Sequence, residues 1–458
     1  MLVLASLSAV SCKMGPDYKR PEVALPVSVR GGNTDGVSMG AANWKDVFTD
    51  PVLQGLIQEA LENNRDLVAA TYRIEEARAF AGATNSAFFP ELEASGSATR
   101  SRTTQETGQV FPGANPYSNR FNVSGLLSYE IDLWGRVRRS SESARARLLA
   151  SEYAQQTVIS SLIAEVATAY VDLRSFDMQL NISLETLASR QKSYALVQER
   201  TKQGVSSDLE LNQSEVLLRQ AEVAVPSAER AIKLKENEIC LLLGRNPGGV
   251  ARGKALDKLT TSVGIAAGLP TDLLARRPDV LAAEQELISA NADIGVAKAA
   301  YFPALTLTGN GGYLSADMDQ LFEKTARTWA ITPTLTAPIF NAGRIGFGVK
   351  SAEAIQKQTL AAYEKAIQSA FREAADALIS FEKTTDILSR QTAYVAALQR
   401  VSDLANTRYD GGASSYLEVL DAQRNLFEGQ LQLTNARRVR LQSVVAAYRA
   451  LGGGWSKK

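Results

Sequence analysis

"RTKQGVSSDLELNQSE" (200–215) and "RYDGGASSYLEVLDAQ" (408–423) are two writings of one turn. Arg200 matches Arg408, Gly204 matches Gly412, Ser207 matches Ser415 and Leu209 matches Leu417, at a constant offset of 208 (408 against 200). The order within each is a helix end, a glycine that accepts left-handed backbone, and a serine that caps the next helix. On either side the correspondence continues. "EVATAY" (165–170) answers to "EAADAL" (373–378), and Gly135-Arg136 to Gly343-Arg344. At a slightly larger offset, Asn64-Arg65-Asp66-Leu67 answers to Arg277-Pro278-Asp279-Val280, and "AFFPEL" (87–92) to "AYFPAL" (300–305). The sequence therefore reads as an internal two-fold repeat. The copies differ at one place of chemical interest: Asp421 and Arg424 stand where the first copy has Gln213 and Val216.

Each copy has the same internal order. A helical stretch, 64–87 or 278–300, opens it; Pro278 suits a first helical position. Two alternating segments follow. In "FNVSGLLSYEIDL" (121–133) Phe121, Val123, Leu127, Tyr129, Ile131 and Leu133 alternate with mostly polar residues, and "WAITPTLTAPI" (329–339) does the same. Their partners, 92–99 and 305–313, share the period of two, which is strand chemistry. Each copy thus predicts one hairpin, and the chain four strands. The period then changes. Residues 136–203 and 349–410 contain neither glycine nor proline, and a helix of that size runs about 100 Å. Ile159, Val166, Leu173, Leu180 and Leu187 recur every seven residues, answered by Ile367, Ala374, Phe381, Leu388 and Val395. A sustained heptad predicts a supercoil against neighbouring helices. The doubled turn closes each long helical hairpin at its far end, and Pro226 predicts a kink in the first returning helix. The fold class is α+β and mostly α.

Composition removes several functions. The 458 residues hold 50 Lys+Arg against 49 Asp+Glu, so no basic field points to nucleic acid. There is no histidine, the commonest general base and metal ligand. With only Cys12 and Cys240, neither a disulfide framework nor a cysteine-rich zinc site is available. The chain is expected not to be an enzyme and to need no cofactor. "GGVARGKA" (248–255) has the spacing of a phosphate-binding loop, but Ala255 replaces the Ser/Thr that binds magnesium, and Asn246-Pro247 precedes it where a strand belongs. Residues 1–11 read as the remnant of a secretory signal, with Ala9 and Ser11 before Cys12. A cysteine at the cut is the site of bacterial lipoprotein processing, so Cys12 is the expected lipid attachment point; an incidental cysteine in an ordinary N-terminal element is the plainer alternative. No apolar run reaches the 18 residues of a membrane-spanning helix. The expected divisions are 12–50 as a lipidated N-terminal segment, 51–250 as repeat 1, 251–268 as a linker, 269–452 as repeat 2 and 453–458 as a tail.

Four amphipathic strands cannot close into a barrel, and unpaired edges in lipid are costly. Several chains pooling four strands each solves this; a small sheet capping a coiled-coil rod in water is the other solution. The residues also carry a resemblance. "GPDYKRP" (15–21), "GLPTDLLARRPDVLAAEQEL" (268–287), "YFPALTLTG" (301–309) and "YLEVLDAQRNLF" (416–427) resemble the TolC/OprM family of outer-membrane efflux channels, in its lipidated OprM-like branch. The resemblance covers essentially the whole mature chain. It implies a homotrimer, with a twelve-stranded β-barrel (four strands per chain) in outer-membrane lipid, continued through the periplasm by an α-helical coiled-coil barrel. The linker and termini would form an equatorial belt.

What the resemblance implies about function follows. The chain would be the passive exit duct of a tripartite efflux system, lipid-anchored (palmitate at Cys12) in the outer membrane. A periplasmic adaptor would open it and an inner-membrane RND-type pump would drive it. A conduit for type I protein secretion is the alternative. Leu417, Asp421 and Arg424 correspond to the ring that closes the periplasmic mouth; by spacing alone the last two also read as an ordinary i,i+3 surface pair. Arg200, Gly204, Ser207, Leu209, Arg408, Gly412 and Ser415 correspond to the adaptor-docking tip, although helix-stop and cap chemistry explains most of them as well. The solutes exported, and which adaptor and pump serve the channel, are not written in the sequence.

Overall fold

A computed structural model describes residues 13–23, 26, 28–30, 39–104, 106, 115–260 and 270–454. Cys12, the 1–11 segment, residues 261–268 of the expected linker and 455–458 of the expected tail lie outside the described residues. In chain order the elements are α1 (Trp44–Val47), α2 (Pro51–Asn63), α3 (Arg65–Ser86), β1 (Glu91–Arg102), β2 (Tyr117–Ile131), α4 (Arg136–Lys202), α5 (Asp208–Leu242), α6 (Pro270–Arg276), α7 (Pro278–Ala299), β3 (Ala304–Ser315), β4 (Arg327–Thr336), α8 (Arg344–Asp410) and α9 (Tyr416–Ala450). Elements of equal length recur: 22 residues in α3 and α7, 12 in β1 and β3, 67 in α4 and α8, 35 in α5 and α9.

Element bounds shift from the sequence reading at several ends, β4 and α8 among them. Strand β4 stops at Thr336, not 339, because Pro338 offers no N–H and restricts the residue before it; Ile339 and Phe340 are left almost bare. Helix α8 begins at Arg344 and takes in Gly346 and Gly348. Glycine costs about 1 kcal/mol in a helix but leaves the hydrogen-bond ladder whole, so it does not stop one. Helix α5 is continuous through Pro226.

The chain forms two compact units. The first draws on Met1–Glu22, Ile74–Ser151 and Ala283–Tyr363 and holds the sheet. Its order is β1-β2-β3-β4, antiparallel throughout. The two hairpins are joined by β2 on β3, from Phe121 opposite Ser315 to Ile131 opposite Leu305. β1 and β4 each keep one edge unpaired among the described residues. Pro333 lies in β4, where an edge strand tolerates it. Leu92, Trp329, Ile331 and Leu335 on the two outer strands are exposed, Trp329 by 77%. Past the end of β2, Trp134 donates Nε1–H to the Pro303 carbonyl at 2.8 Å and stacks on Phe302 with centroids 4.7 Å apart.

An N-terminal strap is pinned to this unit. The Met14 N–H bonds the Trp134 carbonyl at 3.1 Å. Arg139, 1% exposed, donates to the Met14 and Gly15 carbonyls and to Asp17 Oδ1 at 2.9–3.1 Å. Gly15 is left-handed, at φ +83°, and a Cβ there would stand 2.6 Å from the Gly295 Cα, so both positions need glycine. Arg20 and Tyr18 close the strap on Glu284, at 2.9 and 3.2 Å.

The second unit draws on Val23–Arg73, Glu152–Ala282 and Glu364–Lys458. Its core gathers Ile57, Val166, Tyr170, Leu173, Ile239, Leu243, Ala374, Val444 and Tyr448, among others. Of the predicted seam, Val166, Leu173, Ile367 and Ala374 are fully buried, and the rest are half-buried. Two knots tie loops to this core. Asp50 caps α2 through Val52 N–H at 2.9 Å, and its other oxygen accepts from the Tyr170 hydroxyl at 2.9 Å and the Lys254 N–H at 2.8 Å. The Gly253 N–H reaches the same phenol at 2.9 Å. The loop that matched a phosphate-binding spacing is thus held to a carboxylate. Burial pushes the Tyr170 phenol up to about 12; the Gly253 N–H works against that rise and Asp50 adds to it. The second knot occurs at matched positions. Asn64 donates to the Leu242 carbonyl at the end of α5, 2.9 Å, and Arg277 to the Ala450 carbonyl at the end of α9, 3.3 Å.

Candidate functional site

Both doubled turns end their long helix in the same way. The Val205 N–H bonds the Arg200 carbonyl at 2.9 Å and the Gly204 N–H the Thr201 carbonyl at 2.9 Å. The Ala413 N–H bonds the Arg408 carbonyl at 2.8 Å and the Gly412 N–H the Tyr409 carbonyl at 3.0 Å. With Gly204 at φ +73° and Gly412 at φ +71°, this is the paired-bond glycine stop of a helix. A Cβ at either glycine would meet open space, so backbone conformation alone demands glycine there.

The returning helices begin differently. Ser207 caps α5 in a reciprocal box with Glu210: its hydroxyl accepts the Glu210 N–H at 3.3 Å, and its own N–H reaches the Glu210 carboxylate at 3.1 Å. Ser415 stands at the cap of α9 without a side-chain bond. The arginines also divide. The Arg200 guanidinium lies 4.8 Å from the Tyr409 ring centroid, across to the other hairpin, while Arg408 faces Glu418 within its own, at 3.6 Å.

Behind the turns the four helix ends pack together. Val197 of α4, Leu217 of α5, Ala405 of α8, and Tyr416, Val419, Leu420 and Ala422 of α9 form one buried cluster, with Leu211 and Tyr409 against it. Tyr409 and Tyr416 meet at 5.0 Å, and burial raises the Tyr416 phenol above its ordinary range. Leu417, Asp421 and Arg424 are spaced i, i+4, i+7 and are all exposed, so they form the face of α9 that this cluster leaves free. Asp421 and Arg424 pair with each other, Oδ1 to Nη2 at 2.8 Å. Leu209 is bare at the first turn.

Two apolar stripes escaped the sequence reading. Leu209, Val216 and Val223 on α5, and Ile387, Tyr394 and Val401 on α8, are exposed at seven-residue spacing. The period was visible, but only burial separates an inward seam from an outward one. Among the described residues no cluster of His, Cys, Asp and Glu could hold a metal, and no helix is long and apolar enough to cross a membrane. Cys240 is buried and its thiol points to the Gly248 carbonyl at 3.3 Å.

The model of the outer membrane efflux protein family matches residues 56–245 and 269–453. The solvent efflux pump outer membrane protein SrpC of Pseudomonas putida is 37% identical over 464 residues, spanning 99% of this chain and 98% of that one. The cation efflux system protein CusC of Escherichia coli O6:H1 is 35% identical, over 99% and 98%. Among solved structures, the open state of the Neisseria gonorrhoeae MtrE outer membrane channel superposes with a TM-score of 0.88 at 31% identity, covering 97% of this chain and 98% of that one.

Proposed function

Because the chain belongs to the outer membrane efflux protein family, we propose that it forms, as a homotrimer, the exit duct of a tripartite pump. It is an outer-membrane efflux channel; the assembly and its working parts are our reading. The observation that carries that reading is the sheet: four strands of 10–15 residues, two unpaired edges, and bare Trp329, Ile331 and Leu335 on an edge strand. Such a sheet is an aggregation hazard alone and is complete only when its edges meet those of other copies. Two copies would supply eight strands and almost no lumen; three would supply twelve. The bare heptad stripes on α5 and α8 fit the same arrangement, each offering a seam to a neighbouring helix.

In this reading the chain is two copies of one plan, with 51–250 and 269–452 as the repeats and 251–268 in an equatorial belt. The 12–50 segment carries a lipid on Cys12. The strap supports that anchor, because Met14, two residues on, is fixed to Trp134 just past the end of β2. Leu417, Asp421 and Arg424 close the periplasmic end. Arg200, Gly204, Ser207, Leu209, Arg408, Gly412 and Ser415 meet the adaptor, and energy comes from an inner-membrane RND-type pump. The cargo is drugs or other small toxic solutes; SrpC and CusC carry names from solvents and from cations. Both are efflux proteins, and the protein-secretion alternative is not carried forward.

Purified from membranes, the mature chain is expected to run as a heat-modifiable trimer in detergent, to conduct ions across a planar bilayer, and to carry acyl groups on its N-terminal peptide. A water-soluble monomer that conducts nothing overturns the channel reading; a bare Cys12 removes only the anchor. Docking is tested at Gly412. Asparagine tolerates the left-handed backbone and adds a side chain where there is open space. Gly412→Asn should keep trimer and conductance yet cut efflux in cells by about tenfold, the loss of roughly one good interface contact. Full efflux would take this turn out of the docking surface.

A further inference from the structure

The two hairpins carry one register. Residues outside the strand pairing set the offsets between the copies: 213 from "AFFPEL" to "AYFPAL", and 208 from Gly135 to Gly343. Applied to β1 on β2, these offsets return the pairing of β3 on β4. Glu91 opposite Ser128 becomes Ala304 opposite Thr336, and Arg100 opposite Asn119 becomes Tyr313 opposite Arg327. Residue for residue, β1 therefore stands to β2 as β3 stands to β4. The join between the hairpins, β2 on β3, then has a counterpart that one chain cannot make with itself: β4 on the β1 of another copy.

We propose that copies join β4 to β1 in the register of β2 on β3. Phe121 opposite Ser315, Val123 opposite Tyr313 and Leu127 opposite Gly309 then become Trp329 opposite Arg102, Ile331 opposite Arg100 and Leu335 opposite Gly96 of the next copy. This pairing rests on the homotrimer read above and adds its register. The faces agree. Trp329, Ile331 and Leu335 share a face with Gly96, Ala98, Arg100 and Arg102, while Thr332, Thr334 and Thr336 meet Thr99, Ser97 and Ser95 on the other. A slip of one residue would set the apolar row against the hydroxyls. The fit of leucine on glycine also recurs. At the internal join a Cβ added to Gly309 would stand 3.7 Å from the Leu127 Cβ. At the outer join Leu335 meets Gly96, where an added Cβ would have nothing nearer than 4.0 Å in its own chain. Arg102 is exposed and its Cζ lies 5.9 Å from the Tyr117 ring centroid of its own hairpin. The bare Trp329 of the next copy gives that cation a second aromatic neighbour.

Cysteine pairs read the register. A disulfide needs Cα atoms within about 7 Å. Directly opposed residues, at about 4.5–5.5 Å, satisfy this, and residues two further along do not. In the detergent-solubilised full-length protein, Ile331→Cys is combined in turn with Ala98→Cys, Arg100→Cys and Arg102→Cys. Thr332→Cys is combined with Ser97→Cys, Thr99→Cys and Ser101→Cys. Adjacent positions alternate between the two kinds of opposed pair, so the two series cover both. After mild oxidation and heating, covalently linked chains are expected to peak at Arg100→Cys and at Thr99→Cys, about fivefold or more above the flanking positions. The wild type, whose Cys240 is buried, is expected to give none. A peak at a flanking position, or a heat-modifiable trimer that links in neither series, overturns the register. A wild type that is only monomer is a separate failure, of the trimer itself, and takes the register with it. If the cysteine variants do not assemble, NMR on wild-type trimers mixed from two isotope labels decides. Transfer between Trp329 of one label and Arg102 of the other is expected; transfer to Arg100 instead, or to neither, overturns the register.

Discussion

Replacing Asp421 and Arg424 together by alanine is expected to raise the conductance of the isolated channel about 5- to 13-fold, because in the proposed closed mouth each Arg424 bridges to a neighbouring copy, and losing three exposed bridges at about 0.3–0.5 kcal/mol each shifts the open population by that factor. The two side chains are paired at 2.8 Å on the face of α9 that the buried cluster leaves free, beside Leu417. Exposure of about half for each keeps the individual pair weak. The closed state would therefore be held lightly, which suits a mouth that a partner has to open. Two further readouts distinguish a gate from an ornament. The variant should lose cation preference, since the proposed ring of three carboxylates would be gone. The difference from wild type should shrink at 1 M salt, where the screening length falls to about 3 Å. Unchanged conductance and selectivity in planar bilayers at low salt would return the pair to ordinary surface chemistry.

Arg277→Ala should cost about 3 kcal/mol, the lower end for breaking a buried ion pair by removing one partner. Arg277 is 7% exposed and holds four bonds at once: Asp279 through Nε and Nη2 at 3.0 and 2.6 Å, Glu373 through Nη2 at 2.8 Å, and the Ala450 carbonyl through Nη1 at 3.3 Å. Burial works to lower its pKa, but Asp279 and Glu373 outweigh it and hold the guanidinium above its ordinary value. Alanine leaves two carboxylates without their cation and a helix-end carbonyl without its donor. The loss should be local, so hydrogen exchange is expected to speed up at the start of α7 and the end of α9. Arg277→Lys should recover part of the stability, lacking the planar fork. Arg277→Asn is the sharper comparison, because Asn64 at the matched position manages with one carbonyl bond, to Leu242. Wild-type exchange in the alanine variant would mean that the network is incidental.

The sequence showed the plan and hid the fastenings. Helix ends and turns were legible because each has a local cause: Gly204 and Gly412 at positive φ, Ser207 at a cap, Pro278 at a first helical position. Strand positions are legible from a period of two, though the apolar alternation runs on to Ile339 and Pro338 ends β4 three residues earlier, at Thr336. What could not be read were bonds between residues far apart in the chain. Asp50 to Tyr170, Arg139 to Met14 and Arg277 to Ala450 join separations of 120, 125 and 173 residues, and nothing local marks them. Comparing the two turns sets Asp421 and Arg424 apart from Gln213 and Val216; their grouping with Leu417 as a gate comes from the family resemblance and stands as a proposal.

The open margins of β1 and β4 have a genetic corollary. A pore built by shared strands is only as sound as its worst subunit, since each chain must mate on both flanks. A copy whose β4 margin is spoiled, for instance by charges at Trp329 and Ile331, still carries an intact β1 margin and so still recruits healthy siblings. Co-expressed with them in equal amounts, it leaves few assemblies free of a bad member. In the proposed assembly, lesions at the seam would therefore be dominant over a co-expressed intact copy, whereas lesions that merely unfold the chain before it meets its siblings would be recessive.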